Sequence, residues 1–289
     1  MSTLGPVRIG LSAGANSAER AIEQAVEAEK AGFTSLWYPG AVSGDPLVQM
    51  ALAGRATSSI ELGTSVLQIY PCHPTLQATR IQSVAAAVGR PVTLGVGSSH
   101  RPAVEHLGLS YDDVGRFTED YMKTLAGALG GPGGPTPLLL AALGPRLLRV
   151  AGEVADGTIL WMANARAIET HVVPRITRAA KNAGRPAPRI VAGIPVAVHD
   201  DVSEARASAA EQWSIYGTLP NYQRILAHGG ITSPAEAVIV GGEDSVTAQV
   251  EALLAAGATD VWAAPFPVGG DRAASRARTR AHLIHLASA

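Results

Sequence analysis

The chain has 289 residues, 47% of them apolar, a formal net charge of −1 and one cysteine. That apolar share is enough to bury one large core, and a chain of this length commonly forms one domain, expected here over residues 1–289. Basic and acidic residues are interspersed, which argues against a nucleic-acid groove or an anionic membrane partner, and the lone Cys72 excludes an internal disulfide and fits a reducing compartment.

Strand-like apolar runs alternate with amphipathic helical ones along the chain. Val7–Ser12 and Ala18–Ala31 form the first pair, Thr34–Tyr38 and Pro46–Ser58 the second, Ile60–Gln68 and Thr75–Val88 the third. Val92–Gly97 is followed, after a long loop, by Asp112–Leu129. Leu138–Ala142 with Pro145–Ala155, then Thr158–Trp161 with Arg166–Ala183, give units five and six. Ile190–Val198 is the seventh strand, with helical sequence from Ser203 to about His228. Asp260–Ala264 closes the series and Arg272–Leu286 packs outside. Eight strands separated by helices predict an α/β fold, a single (β/α)8 TIM barrel with short insertions. Gly130 to Pro135 reads as a flexible connector on the stability face. The stretch Thr218–Val240 reads either as a lid or as a surface excursion. No basic region followed by an apolar run opens the sequence, and no uninterrupted segment is long enough to span a bilayer. A cytoplasmic protein without membrane or nucleic-acid partners is the expectation.

The most informative stretch runs from Pro137 to Trp161. Leu138 to Ala142 is wholly apolar, as in a strand buried on both faces. Gly144 permits a tight turn, and Pro145 suits the first turn of a helix. Leu147, Leu148, Val150, Ala151 and Val154 then recur at helical spacing until Asp156-Gly157. A bare helix N-terminus after a buried strand offers N–H groups and a partial positive charge to a phosphate. The other reading is an ordinary strand-to-helix turn.

Barrel geometry gathers chemistry at the C-terminal ends of the strands. That rule nominates Ser12, Tyr38, the stretch Ser65 to Tyr70 (with Val66 and Gln68), Gly97 to His100, Ala142 to Gly144, Trp161-Met162, Val198-His199 and Pro265-Phe266. The set is apolar, aromatic and glycine-rich. It holds no pair of carboxylates arranged for hydrolysis, no short-spaced metal-ligand cluster, no GxSxG elbow and no P-loop. An apolar mouth with a phosphate anchor suits a flat redox cofactor that performs the hard step itself.

The segment Ala141-Ala142-Leu143-Gly144-Pro145-Arg146, with Ala151-Gly152 and Ala155-Asp156-Gly157, resembles the cofactor-phosphate segment of the bacterial luciferase-like flavin and deazaflavin oxidoreductases. The likeness continues in Ala28-Glu29-Lys30-Ala31-Gly32-Phe33-Thr34-Ser35-Leu36-Trp37, in Gly63-Thr64-Ser65-Val66 with His73-Pro74, in Gly89-Arg90-Pro91 with Leu94-Gly95-Val96-Gly97, and in Ala255 to Asp260 with Ala264-Pro265-Phe266. It is similar above all to the branch that uses the deazaflavin coenzyme F420.

The resemblance implies a coenzyme F420-dependent oxidoreductase, with FMN as the alternative cofactor, acting on a small-molecule substrate as a homodimer. It implies that the cofactor's anionic tail lies at Ala141, Ala142, Leu143, Gly144, Pro145 and Arg146. Arg146 either pairs with phosphate or extends to solvent. It further implies that the third strand ends in a bulge with a non-proline cis peptide at Ser65–Val66, backing the ring; the bland alternative is a regular strand end. Gly95 and Gly97 let backbone approach a ligand and Ser98 and Ser99 offer donors. Related enzymes carry a carboxylate where His100 falls. His100 is therefore either an acid/base or a loop residue capping Asp112 or Asp113. Tyr38 offers a phenol, or packs. Trp161 stacks on a ring or fills the core, His73 orders its loop or reaches the cofactor, and Trp213 and Tyr216 read as packing.

One departure stands out. Several deazaflavin dehydrogenases carry a histidine after the second strand, whereas this chain reads Trp37-Tyr38-Pro39-Gly40-Ala41. Alcohol or sugar-phosphate oxidation of that type is thereby disfavoured. Gly97 to Glu105 and Trp161-Met162 resemble an actinobacterial-type subgroup, which implies the cofactor class and not the substrate. Three alternatives remain: an FMN-dependent luciferase-like monooxygenase, a non-redox lyase or isomerase acting on a phosphorylated metabolite, and a cofactor-binding protein without turnover.

Overall fold

A computed structural model describes residues 8–14, 17–40 and 44–288; Val7 and Ala41, used in the sequence reading, lie outside the described residues. The chain opens with β1 (Ile9–Ser12) and α1 (Ala18–Lys30), whose Ser17 hydroxyl accepts from the Arg20 N–H. β2 (Ser35–Tyr38) precedes α2 (Pro46–Ala56), which starts at the Asp45 carboxylate with Pro46 in the first turn. The third apolar run is split into β3 (Glu61–Thr64) and β4 (Leu67–Gln68), and the Ser65–Val66 peptide between them is cis. The imidazole of His73 caps α3 (Pro74–Val88), which Gly89 ends at φ 77°, a left-handed position that favours glycine.

β5 (Leu94–Gly97), α4 (Arg101–His106) and α5 (Val114–Ala128) follow, then β6 (Leu138–Leu140), α6 (Pro145–Val154) and β7 (Gly157–Trp161). A short α7 (Ala165–Ala167) runs through a π-helical turn (Ile168–Val172) into α8 (Val173–Asn182). After β8 (Arg189–Val198) come α9 (Val202–Trp213), a 3-10 turn (Ser214–Thr218), α10 (Pro220–His228) and α11 (Pro234–Ala237). β9 (Ile239–Gly241), α12 (Glu243–Ala255), β10 (Asp260–Pro265) and α13 (Arg272–Ser288) complete the chain.

All pairings are parallel, in the order β3-β2-β1-β10-β8-β7-β6-β5-β4. β3 and β4 are two halves of one stave: β3 pairs with β2, β4 pairs with β5, and a bridge from Gly63 to Thr93 draws the ends together. β9 hangs on β8 outside the ring. The described residues therefore form the expected eight-staved barrel. α4, β9 and α12 are additions that the sequence reading did not separate. The Gly130 to Pro135 connector is not loose, because the Asp156 carboxylate accepts from the Gly133 N–H at 2.7 Å and the Leu138 N–H at 2.8 Å. Among the described residues no helix is long and apolar enough to cross a membrane.

Strand alternation sorts side chains into two layers. Leu36, Tyr38, Leu62, Leu94, Val96, Leu138, Leu140 and Leu160 point outward and build the main core with the helices. Trp37, Leu139, Ile159, Val191 and Trp262 point inward and plug the barrel. Two indoles fit only because glycines face them. A Cβ at Gly63 would lie 2.5 Å from the Trp37 ring, and one at Gly193 would lie 2.2 Å from the Trp262 ring. Beneath the plug, Arg189 bonds Glu61 at 2.7 Å and Asp260 at 2.6 Å, and its guanidinium sits 5.6 Å from the Trp37 ring. Among the described residues the bottom is closed by charge and the middle by tryptophan, and the open space lies at the top.

Candidate cofactor cavity at the barrel mouth

That space is a cavity of about 870 Å³ at the C-terminal ends of the strands, lined by residues from seven of the eight staves or the loops after them. Its floor is the top of the plug, where the Trp161 and Trp262 rings stack at 5.0 Å. Ser65 and Val66, the two residues of the cis peptide, line one wall. The Val66 side chain occupies the room left by Gly95 and Gly97: a Cβ at Gly97 would meet it at 2.8 Å, and one at Gly95 at 3.1 Å. These glycines thus admit the bulge residue itself, and Gly97 also lines the cavity. The Ser65 hydroxyl is buried in this wall with no protein partner. A buried hydroxyl without a partner is costly, so a ligand that bonds it is favoured.

A second wall, two staves along, is the β6–α6 turn. Ala141 to Leu147 line the cavity. Gly144 is the N-cap of α6, Pro145 takes the first position, and no side chain caps the helix. The first N–H with an intrahelical acceptor is that of Leu148, bonded to the Gly144 carbonyl at 3.0 Å. By helix geometry the N–H groups of Gly144, Arg146 and Leu147 are left without intrahelical acceptors, and the helix dipole adds partial positive charge there. A Cβ built on Gly144 meets nothing within 4 Å, so the space beside the turn is open. The Arg146 side chain is about half exposed and is ion-paired. It folds over Gly115 of α5, 3.4 Å from Asp113 and 3.5 Å from Glu119.

The third side is aromatic. Trp213, Tyr216 and Tyr222, from the α9–α10 region, line the cavity with Gln212, Asn221 and Arg224. Tyr216 stands 6.3 Å from Trp161 and 4.6 Å from Tyr222, ring centre to ring centre, and Tyr222 reaches His100 at 5.8 Å. Burial lowers the pKa of His100 below the usual histidine value, so its imidazole is neutral at pH 7 and able to accept a proton. The His100 side chain makes no cap bond to α4. The Tyr111 hydroxyl donates to the Ser99 carbonyl at 2.9 Å, holding a loop in which Ser99 adopts φ 57°, a conformation unusual for a non-glycine residue.

The comparisons with known proteins bear directly on a barrel with this mouth. Residues 1–274 match the family model described as luciferase-like monooxygenase. The chain belongs to that family. As a luciferase-like protein it is an oxidoreductase. It is 30% identical over 284 residues to the F420-dependent hydroxymycolic acid dehydrogenase of Mycobacterium tuberculosis, a match covering 83% of this chain and 77% of the relative. The fold is shared with the coenzyme F420-dependent tetrahydromethanopterin reductase of Methanopyrus kandleri, at a TM-score of 0.75, 19% identity and 98% coverage of both chains. It is shared equally with the FMN-bound oxygenating constituent of 3,6-diketocamphane monooxygenase from Pseudomonas putida, at a TM-score of 0.72, 16% identity and 97% coverage of both.

In this luciferase-like barrel the structure brings together most of the residues nominated from sequence. Ser12, Ser65, Val66, Gly97, Ser98, Ser99, His100, Ala141 to Arg146 and Trp161 share one cavity. Tyr38 and Gln68 do not line it. Tyr38 falls on the outward phase of β2, fully buried among core residues under the helices, while its neighbour Trp37 points in. Tyr38 is withdrawn as a catalytic candidate on that ground. Gln68 ends β4 beside Gly97, beyond the position where Val66 fills the wall. His199 is occupied by Glu204 at 2.9 Å, and His73 by its cap. Sequence reasoning missed the inward role of Trp213 and Tyr216, taken as packing. Helical spacing does not say which barrel end a helix crosses.

Proposed function

We propose that the protein is a coenzyme F420-dependent oxidoreductase that transfers a hydride between the deazaflavin and a small organic substrate. The observation that carries the reading is the uncapped start of α6, opening into the same cavity that the Ser65–Val66 peptide backs. The residues fit such a group. Three free N–H groups suit an anionic tail, the unpartnered Ser65 hydroxyl suits a ring heteroatom, and about 870 Å³ accommodates a tricyclic ring with substrate beside it. A 30%-identical relative named for F420 dependence supports the deazaflavin over FMN.

When bound, the deazaflavin supplies hydride chemistry at its C5. The protein's own contribution is placement and dryness. Ser65 and Val66 present backbone to one ring face, leaving the other for substrate. Gly144, Arg146 and Leu147 hold the anion. The aromatic side from Trp213 to Tyr222 excludes water and favours an apolar or flat substrate. The neutral His100 imidazole accepts a proton from the substrate, or returns one in the reverse direction. We further read the enzyme as a cytoplasmic homodimer, to be checked by light scattering of the purified protein.

A fluorescence titration with each cofactor tests the assignment. Micromolar affinity for F420 with no saturable FMN binding is expected. Micromolar FMN affinity without F420 binding transfers the protein to the monooxygenase alternative. Binding of neither ring, with turnover of a phosphorylated sugar, removes redox chemistry altogether.

A further inference from the structure

The β6–α6 turn is held from behind by a residue far along the chain. His171 lies in the π-helical turn between α7 and α8, 2% exposed, and its Nε2 is 2.8 Å from the Leu143 carbonyl oxygen. Because a carbonyl only accepts, Nε2 carries the proton. The ring is fixed sideways by His228, the last residue of α10, stacked on it at 3.8 Å and 21°. Nδ1 is buried without a partner, which matches the neutral Nε2–H tautomer. Nothing in the proposed chemistry uses this imidazole, and it does not line the cavity.

Its bond has a geometric consequence. The Leu143–Gly144 peptide is trans, so its C=O and N–H point in opposite directions within one plane. With the carbonyl drawn back to His171, the Gly144 N–H is aimed the other way, from a turn whose Leu143 and Gly144 both line the cavity and whose Gly144 faces open space. Were the carbonyl to rotate freely, its partial negative charge would turn toward the anion instead. We propose that His171 is a positioning residue for anion binding, locking the Leu143–Gly144 peptide so that the Gly144 N–H faces the phosphate of the cofactor. The π-helical turn and the His228 stack exist, on this account, to bring one imidazole donor to one carbonyl.

The inference rests on the reading of the turn as a phosphate site, and the experiment separates the two. Affinities are measured for F420 and for its deazaflavin riboside without the phosphoryl tail, in wild type, His171→Phe and His171→Gln. Phe keeps a flat ring against His228 but has no donor; Gln keeps an amide donor. The Phe variant is expected to bind F420 about tenfold more weakly, the loss of roughly one well-aligned bond to a charged group. Its affinity for the riboside stays within twofold, and Gln restores F420 binding. Equal loss of both ligands, or no loss of F420, overturns the role of His171. Wild type binding both ligands equally overturns the phosphate reading itself, and this inference with it. If Phe is not accommodated, His171→Asn, whose short amide stops before the carbonyl, takes its place with the same expected outcome.

Discussion

Capping α6 with its own carboxylate offers a direct test of the anion site. Gly144 has φ −93° and ψ 158°, an extended conformation open to any residue, and a Cβ there touches nothing within 4 Å. Gly144→Asp is therefore sterically allowed, and its carboxylate reaches the Arg146 and Leu147 N–H groups as an ordinary N-cap. The cap adds a few tenths of a kcal/mol over glycine, and the charge at the positive end of the dipole adds about 0.3–1 kcal/mol. Stability should rise by about 1 kcal/mol, or about 2–4 °C in Tm for a chain of this size. The same carboxylate occupies the donors and places a negative charge where the anion sits. Two bonds to a charged group at about 1.5–3 kcal/mol each amount to at least about 3 kcal/mol, a loss on the order of a hundredfold in cofactor affinity. Calorimetric Tm and fluorescence Kd, measured on the same preparation, should thus move in opposite senses. Gly144→Ala serves as the control with no added charge. A Gly144→Asp protein that melts higher yet binds F420 within threefold of wild type would refute the argument that the start of α6 holds the anion.

Replacing His100 by Ala should lower turnover by about 10²–10⁴-fold while leaving the cofactor Kd unchanged, as expected for loss of a proton acceptor. Because burial lowers the His100 pKa, wild-type activity should hold from neutral pH down past 6.5 and fall only below it, a limb absent from His100→Ala; a pH-independent wild-type rate down to pH 5 counts against the role. Gly193→Ala drives a methyl to 2.2 Å from the Trp262 ring and should cost about 1–3 kcal/mol in urea unfolding; an unchanged midpoint would mean the plug is looser than its geometry implies. Glu29 accepts from the N–H groups of Ser58, Ser59 and Ile60 and from the Ser59 hydroxyl. Burial pushes its carboxyl up, but these four donors outweigh that and hold it at about 2 against an ordinary 4.5. The unfolded chain binds the proton more readily, so this stabilisation is complete above pH 4.5 and is lost as pH falls toward 2. The carboxyl is partly solvated, so the effect is on the order of 1 kcal/mol, and Glu29→Gln should flatten that part of the stability profile.

What could be read from sequence was local. Leu138 to Leu140 followed by Gly144-Pro145 states a buried strand, a turn and a helix start within a few residues, because apolar runs, glycine freedom and proline's missing N–H act on neighbours. Repetition of that unit suffices for the barrel, and the barrel suffices to say where chemistry gathers. What depends on distant chain was closed to the sequence. A one-residue phase on β2 sends Trp37 into the plug and Tyr38 out to the helices, and Gly63, paired with Trp37 on the neighbouring stave, leaves the room for that indole. The aromatic side from Trp213 to Tyr222 is brought over the mouth by the path of α9 and α10. His171 meets Leu143 across 28 residues, through a helix irregularity that no periodicity announces. Side-chain spacing encodes elements, whereas which groups converge follows from how closed packing leaves each element one place to go.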